Sequence, residues 1–278
     1  MKCNRSTKLF AGALILAHVL LISCQNNPVS GKKEQPVLPP TESLSIDMSL
    51  FDQTPGAGKA SQVTPPGKNF SNAAIRALVI NAVVLVILAL PAGTLALAVS
   101  QQPKLGDDGK FHWTFNYADN GVVLQADLAG WIDVENQQSA WEMRITNSKS
   151  NPPLDKFLWY SGRAALDNTS GFWDIYDPTQ PNAQVKVLRA DWTHPASDKA
   201  TLDLTVVKPN VQENGDHVSY AADGDTRTMS FFDQSKGTTI EIGWDATTHA
   251  GYLIAPDYNG GAKSCWDQFL QDTDCPGS

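Results

Sequence analysis

One stretch constrains this chain more than any other: residues 73–99, AAIRALVINAVVLVILALPAGTLALAV, carry no charge beyond Arg76. A helix that is apolar on every side has to be buried, in lipid or in protein. By length, Ala77 to Val99 passes as a membrane span, since about 20 apolar residues suffice. Asn81, Pro91 and Gly93 interrupt the run and leave Val83 to Leu90 as its densest part. Pro91 lacks an N–H and crowds the preceding turn, so two helical pieces are expected, one on either side of it.

The chain beyond Gln102 offers a place to bury such a segment. Apolar residues alternate there with polar ones: Trp141, Met143 and Ile145; Leu202, Leu204 and Val206; Ile240, Ile242 and Trp244. Period two marks strands with one buried face. Asp119-Asn120-Gly121, Glu213-Asn214-Gly215 and Asp223-Gly224 lie between them, residue types that accept positive φ and close hairpins. About ten strands are expected, with runs near residues 111–117, 122–134, 140–147, 157–166, 172–176, 184–192, 201–207, 217–221, 226–232, 238–244 and 251–255. A sheet of that size curls or closes. All eight Trp and all six Tyr lie in this part. The expected fold is therefore mainly β, an antiparallel meander curled into an open or closed barrel around a kinked apolar helix.

The amino terminus carries an address. Lys2, Arg5 and Lys8 precede an apolar core from Leu9 to Ile22, too short for a membrane span and flanked as a secretory signal is. The following Leu21-Ile22-Ser23-Cys24 resembles the lipobox of bacterial lipoproteins. That resemblance implies cleavage before Cys24 and a lipidated N-terminus at Cys24, hence a membrane partner reached through the anchor. Gln25, rather than Asp, follows that Cys, which by the same resemblance favours the outer membrane, facing the periplasm or the cell surface. A span at residues 77–99 in the inner membrane is the alternative. It sits poorly with a lipidated Cys24, because Lys59, Lys68 and Arg76 would place its N-terminal side in the cytoplasm.

Four cysteines are present. With Cys3 leaving in the signal and Cys24 acylated, Cys265 and Cys275 are expected to form a disulfide in an exported protein. Residues 1–23 then form the signal, and 24–72 a flexible Pro-rich tether, of which only Leu44 to Phe51 invites docking. Residues 73–278 form a single domain: the helix at 73–99, the sheet at 110–256 and a C-terminal tail.

Charge and motifs narrow the function. Loss of Lys2, Arg5 and Lys8 takes the formal charge from −8 to −11, and beyond Gln102 there are 25 acidic against 13 basic residues. Phosphate backbones are repelled by such a surface, so nucleic-acid binding is disfavoured. There is no G-x-S-x-G, P-loop, G-x-G-x-x-G or S-x-x-K. His112, His194, His217 and His249 are scattered without zinc-ligand spacing. No cofactor is implied and no catalytic residue is singled out. In the tail, Asp267, Asp272 and Asp274 are the weak candidates for calcium, short of the six or more oxygens such a site needs. Trp266, Phe269 and Leu270 read instead as the apolar face of a small docking helix. Consecutive aromatics on a strand point to opposite faces, so Trp159 and Tyr160, with Trp173 and Tyr176, are the candidate contact surface.

The closing Cys265-Trp266-Asp267 to Asp272-x-Asp274-Cys275 arrangement, the run Leu158-Trp159-Tyr160-Ser161-Gly162 and the turn Gly171-Phe172-Trp173 resemble β-rich lipoproteins of Bacteroidetes-type envelopes. The likeness spans Ala73 to Cys275 and implies that the apolar segment belongs to the domain. That family carries no assigned activity, so no catalytic role follows from it. The expected function is a lipid-anchored envelope protein, a non-enzymatic binding or structural module with a protein or glycan partner left open. The alternatives are a carrier of apolar ligands in a curled sheet and a glycan- or wall-acting hydrolase.

Overall fold

The computed structural model describes residues 33–51, 65–119 and 121–276, without the side chains of residues 81–86, 119 and 122. A 3-10 turn at Thr41–Leu44 precedes one α-helix, α1 (Lys68–Val99). Then come β1 (Lys104–Leu105), β2 (Phe111–Asp119), β3 (Val122–Asp133), β4 (Gln138–Asn147), β5 (Leu154–Ala165), β6 (Ser170–Tyr176) and β7 (Lys186–Ala196). The rest are β8 (Lys199–Val206), β9 (His217–Asp223), β10 (Thr226–Asp233), β11 (Thr238–Asp245), β12 (Gly251–Ile254), β13 (Ser264–Trp266) and β14 (Asp272–Thr273). They form one fourteen-stranded antiparallel sheet in strict sequence order, and β1 and β14 do not pair, so the sheet is open. All eleven expected strand runs are present; the added three are the short β1, β13 and β14.

Hairpin chemistry sets the register. Asp119 pairs with Val122 and Asp223 with Thr226, so each hairpin is closed across two residues, Gly224-Asp225 in the second. Gly121 and Gly224 take the positive φ such loops demand. In this register the alternating apolar residues line up in rows. Leu128, Met143, Tyr160, Ile175 and Leu188 run across β3 to β7, and Leu202, Tyr220, Met229, Ile242 and Leu253 across β8 to β12, all buried. Large rings in the row alongside are accommodated by glycines on the neighbouring strands. Trp141 faces Gly130 and Gly162, and a Cβ on Gly130 would overlap its indole.

The apolar helix lies on this inner face. Phe70, Ala73, Ala77, Ile80, Leu88, Leu95 and Ala98 form its buried stripe, recurring at three, four, seven or eight residues, packed chiefly against β2, β12, β13 and the 3-10 turn. The helix runs without interruption through Pro91, where two pieces were expected. Pro91 is itself buried, and packing holds both sides: Thr94 Oγ1 donates to the Pro91 carbonyl at 2.9 Å and meets Tyr160 Oη at 3.1 Å. Gly93 comes so close to β2 that a Cβ there would lie 2.6 Å from Tyr117 Oη. The opposite side of the helix stays exposed at Ile75, Leu78, Val79 and Val99. No helix among the described residues is long and apolar enough to cross a membrane.

Part of the expected tether is packed on the domain, including the Leu44 to Phe51 stretch that invites docking. Residues 34–51 form a strap over the sheet in which Ser43, Leu44, Met48, Leu50 and Phe51 are buried. Trp173 Nε1 donates to Ser43 Oγ at 3.0 Å, and Asn168 Nδ2 to the Leu38 carbonyl at 2.8 Å. Phe51 packs edge-on to Trp244 and stacks on Phe70. Each buried apolar side chain contributes about 1.5–3 kcal/mol, and Pro36, Pro39 and Pro40 lower the entropy lost on ordering. The helix likewise begins at Lys68 rather than Ala73.

One surface loop makes stability depend on pH. Burial alone would raise the Asp177 carboxyl, but the Lys208 ammonium at 2.8 Å and the Thr179 hydroxyl and N–H outweigh it and hold its pKa at about 2. A folded-state value below the unfolded one, about 3.9, stabilises fully above pH 4 and loses that contribution as pH falls toward 2. The shift corresponds to about 2 kcal/mol. Lys208→Met is expected to remove most of it at pH 7 and much less near pH 2, read as the difference in urea midpoint between the two conditions.

Candidate functional site

The structure first relocates the residues expected to act. Trp159, Tyr160 and Trp173 are buried in the core and are not a contact surface. Between Met143 and Arg144 the β4–β5 register slips, so Met143 pairs with Tyr160 but Arg144 with Leu158. This bulge leaves Trp159 as an extra residue and turns both consecutive rings inward, against the alternation rule. Tyr176 alone of the four is only partly buried, its hydroxyl 3.3 Å from Ser161 Oγ.

Two of the three tail carboxylates, Asp267 and Asp272, serve the backbone, and Asp274 is exposed. Asp267 Oδ1 accepts from the N–H groups of Phe269 and Gln271, both at 2.9 Å. Asp272 Oδ1 accepts the Asn69 N–H at 2.8 Å and so caps α1, whose own N-cap residue, Gly67, has no side chain to do it. Asn69 Nδ2 donates to the Cys265 carbonyl at 2.7 Å, and the Gly67 N–H to that of Leu270 at 2.8 Å. No group of three or more metal-ligating side chains occurs among the described residues. The Cys265–Cys275 disulfide is formed, and it closes the loop that carries these contacts. In place of the small helix expected at Trp266, Phe269 and Leu270 there is a tight turn between β13 and β14. Trp266 and Leu270 point inward and Phe269 is 69% exposed. Cys24 lies outside the described residues.

Two histidines sit among acceptors on the outer face. The His112 ring has Asp127 at 3.0 Å from Nδ1 and Asp108 at 3.1 Å from Nε2. Burial disfavours the charged ring, but the two carboxylates prevail and raise its pKa; only the imidazolium can donate to both. His217 has Ser219 Oγ at 2.7 Å and Asp203 at 3.4 Å on one nitrogen, Nε2, and Thr205 Oγ1 at 2.9 Å on Nδ1. Thr205 and Asp203 lie on β8 and His217 and Ser219 on β9, so the cluster ties these two strands together. Asp203 and Glu241 border a shallow depression on the same face, three strands apart, which is about 14 Å. Paired glycosidase carboxylates stand about 5–9.5 Å apart. Glu241 also accepts the Tyr252 hydroxyl at 2.6 Å, and burial together with this carboxylate pushes that phenol up to about 12.

A more open feature lies beside the helix. Its N-terminal half stands off from β9 to β11 and leaves an apolar groove of about 620 Å³. The floor is the cross-strand row Val218, Phe231 and Ile240, and the wall is Ile75, Val79 and Ile80 of α1. Two ion pairs border it, Arg76 with Asp257 and Lys236 with Asp233. Sequence reasoning missed this groove. Val218 and Ile240 show only as inward strand positions, and only the path of the helix places a groove beside them.

Fold and site together define an open β-meander packed on one long helix. No family model matches the chain, and no curated protein or solved structure matches it either.

Proposed function

We propose that this chain is a cell-envelope protein held to the outer membrane by a lipid on Cys24, with its β-domain acting as a non-enzymatic binding or structural module. The observation that carries the module reading is the fixed filling of the sheet. Helix and strap occupy its inner face, tied down at both ends by Asn69 to Cys265 and Asp272, and by Thr94 to Tyr160. A movable lid would lack such ties, so a carrier that empties its inner face is the less supported reading. Burial of Leu88, Leu95 and Ala98 favours a core helix over an inner-membrane span at residues 77–99. Support for the anchor is the lipobox-like Leu21-Ile22-Ser23-Cys24.

The anchor is tested by feeding tritiated palmitate to expressing cells. Label is expected to follow the protein into the outer-membrane fraction and to be lost in Cys24→Ala. Label retained by that variant refutes acylation at this residue.

A further inference from the structure

We infer that the outer edge of β2 pairs with the same edge of a second copy of this chain, joining two sheets into one across a two-fold axis at Asn116. This is independent of the lipid anchor and of what else the module binds. β1 covers β2 only at Phe111 and His112. Among the described residues no strand pairs with the rest of that edge. The two-residue turn makes Asp119 and Val122 a hydrogen-bonded pair, and such pairs recur at every second position of an antiparallel ladder. Phe111, Trp113, Phe115 and Tyr117 therefore turn their main-chain groups toward β3. Thr114, Asn116 and Ala118 turn theirs outward, as His112 does toward Lys104, and all three are exposed.

Edge strands are ordinarily blunted by brevity, Lys, Pro or a bulge. The opposite edge, β14, follows the rule with two residues, one of them an exposed Asp272. β2 does not: it runs nine residues, its register against β3 is unbroken, and Trp113 to Ala118 holds neither charge nor proline. The occupant follows from the strand's own pattern. With Asn116 opposite the second copy's Asn116, Thr114 meets Ala118 and Ala118 meets Thr114, which uses every outward group in about six hydrogen bonds. Sliding the register either way loses pairs, because β1 already holds His112 at one end and β2 stops at Asp119 at the other. The same register sets Phe115 opposite Tyr117 twice on the inner face, where both rings are only partly buried. These are the closely spaced, non-hydrogen-bonded positions at which aromatic pairs stabilise a sheet. In a chain of formal charge −8, an uncharged run also lets two copies meet without opposing like charges. Pairing over residues 114–118 is a small interface, below about 1,200 Å², so the dimer is a weak one that forms with concentration.

The test is sedimentation of the purified full chain in non-ionic detergent from about 1 to 300 μM, across which a shift from monomer to dimer is expected. Asn116→Pro deletes one outward N–H and leaves the β2–β3 ladder whole, so dimerisation should weaken by at least about tenfold while the thermal transition stays in place. Asn116→Lys and Asn116→Asp should each be monomeric, since like charges then stand opposite one another, and an equal mixture of the two should dimerise. This charged pair also decides the matter if the proline variant fails to fold. A wild-type chain that stays monomeric throughout, or a dimer that survives Asn116→Pro, overturns the edge pairing. A mixture that stays monomeric overturns the register. A monomer that binds glycan or another protein overturns self-pairing while leaving the module reading intact.

Discussion

Trp141→Ala is expected to destabilise the domain by about 3–5 kcal/mol, the largest effect of any single truncation considered. The side chain is fully buried, tilts against Trp113 with ring centroids 5.6 Å apart, and donates from Nε1 to Ser139 Oγ at 3.1 Å. Its neighbours across both strands are Gly130 and Gly162, which have no side chain to move into the space. The void therefore stays, and the cavity cost adds to the lost transfer free energy. Urea unfolding should show a lower midpoint at unchanged slope. Phe269→Ala, at 69% exposure in the same domain, should shift it by less than about 0.5 kcal/mol. A midpoint for Trp141→Ala close to that of wild type would contradict the core assignment.

Opening the disulfide should come second. Cys265 and Cys275 are ten positions apart, and closing a loop of that length stabilises by about 3 kcal/mol. Cys275→Ser loses this and also loosens the loop that supplies Asp272 to the helix start and the Cys265 and Leu270 carbonyls to Asn69 and Gly67. Amide exchange separates the two consequences. Below global unfolding, exchange should quicken at Asn69 and its neighbours and stay slow at Leu95 and Ala98, which the sheet covers. Uniform quickening along α1 would show that the tail does not cap the helix.

These two residues also mark how far sequence reading reaches. The position of Trp141 on an inward face follows from its alternation with Met143 and Ile145, a pattern local to one strand. The bridge of Cys265 to Cys275 follows from cysteine number and the expected signal at the amino terminus. The role of Asp272 does not follow, because its partner, the Asn69 N–H, lies 203 residues away and no local signal pairs them. The same holds for Trp159 and Tyr160. Whether two consecutive rings share a face depends on a bulge, and a bulge exists only once β4 and β5 have paired. The strap at residues 34–51 was legible only in its Leu44 to Phe51 stretch, for a related reason. Its prolines and polar residues carry no periodicity, and its apolar side chains are buried one by one against a surface the rest of the chain builds.

The apolar run at residues 73–99 shows the division most clearly. Sequence by itself determined that this run is helical and needs cover, because its residues form helices well and leave no polar side to face water. It also determined that a strand-rich domain follows, through period-two alternation and glycine turns, both properties of short chain segments. Tertiary structure alone decided which side of the helix is covered, that it continues through Pro91, and that a groove remains beside it over β9–β11. Those outcomes depend on where fourteen strands place their inner rows relative to one helix. Such contacts join residues far apart in the chain, and local propensity holds no information about them.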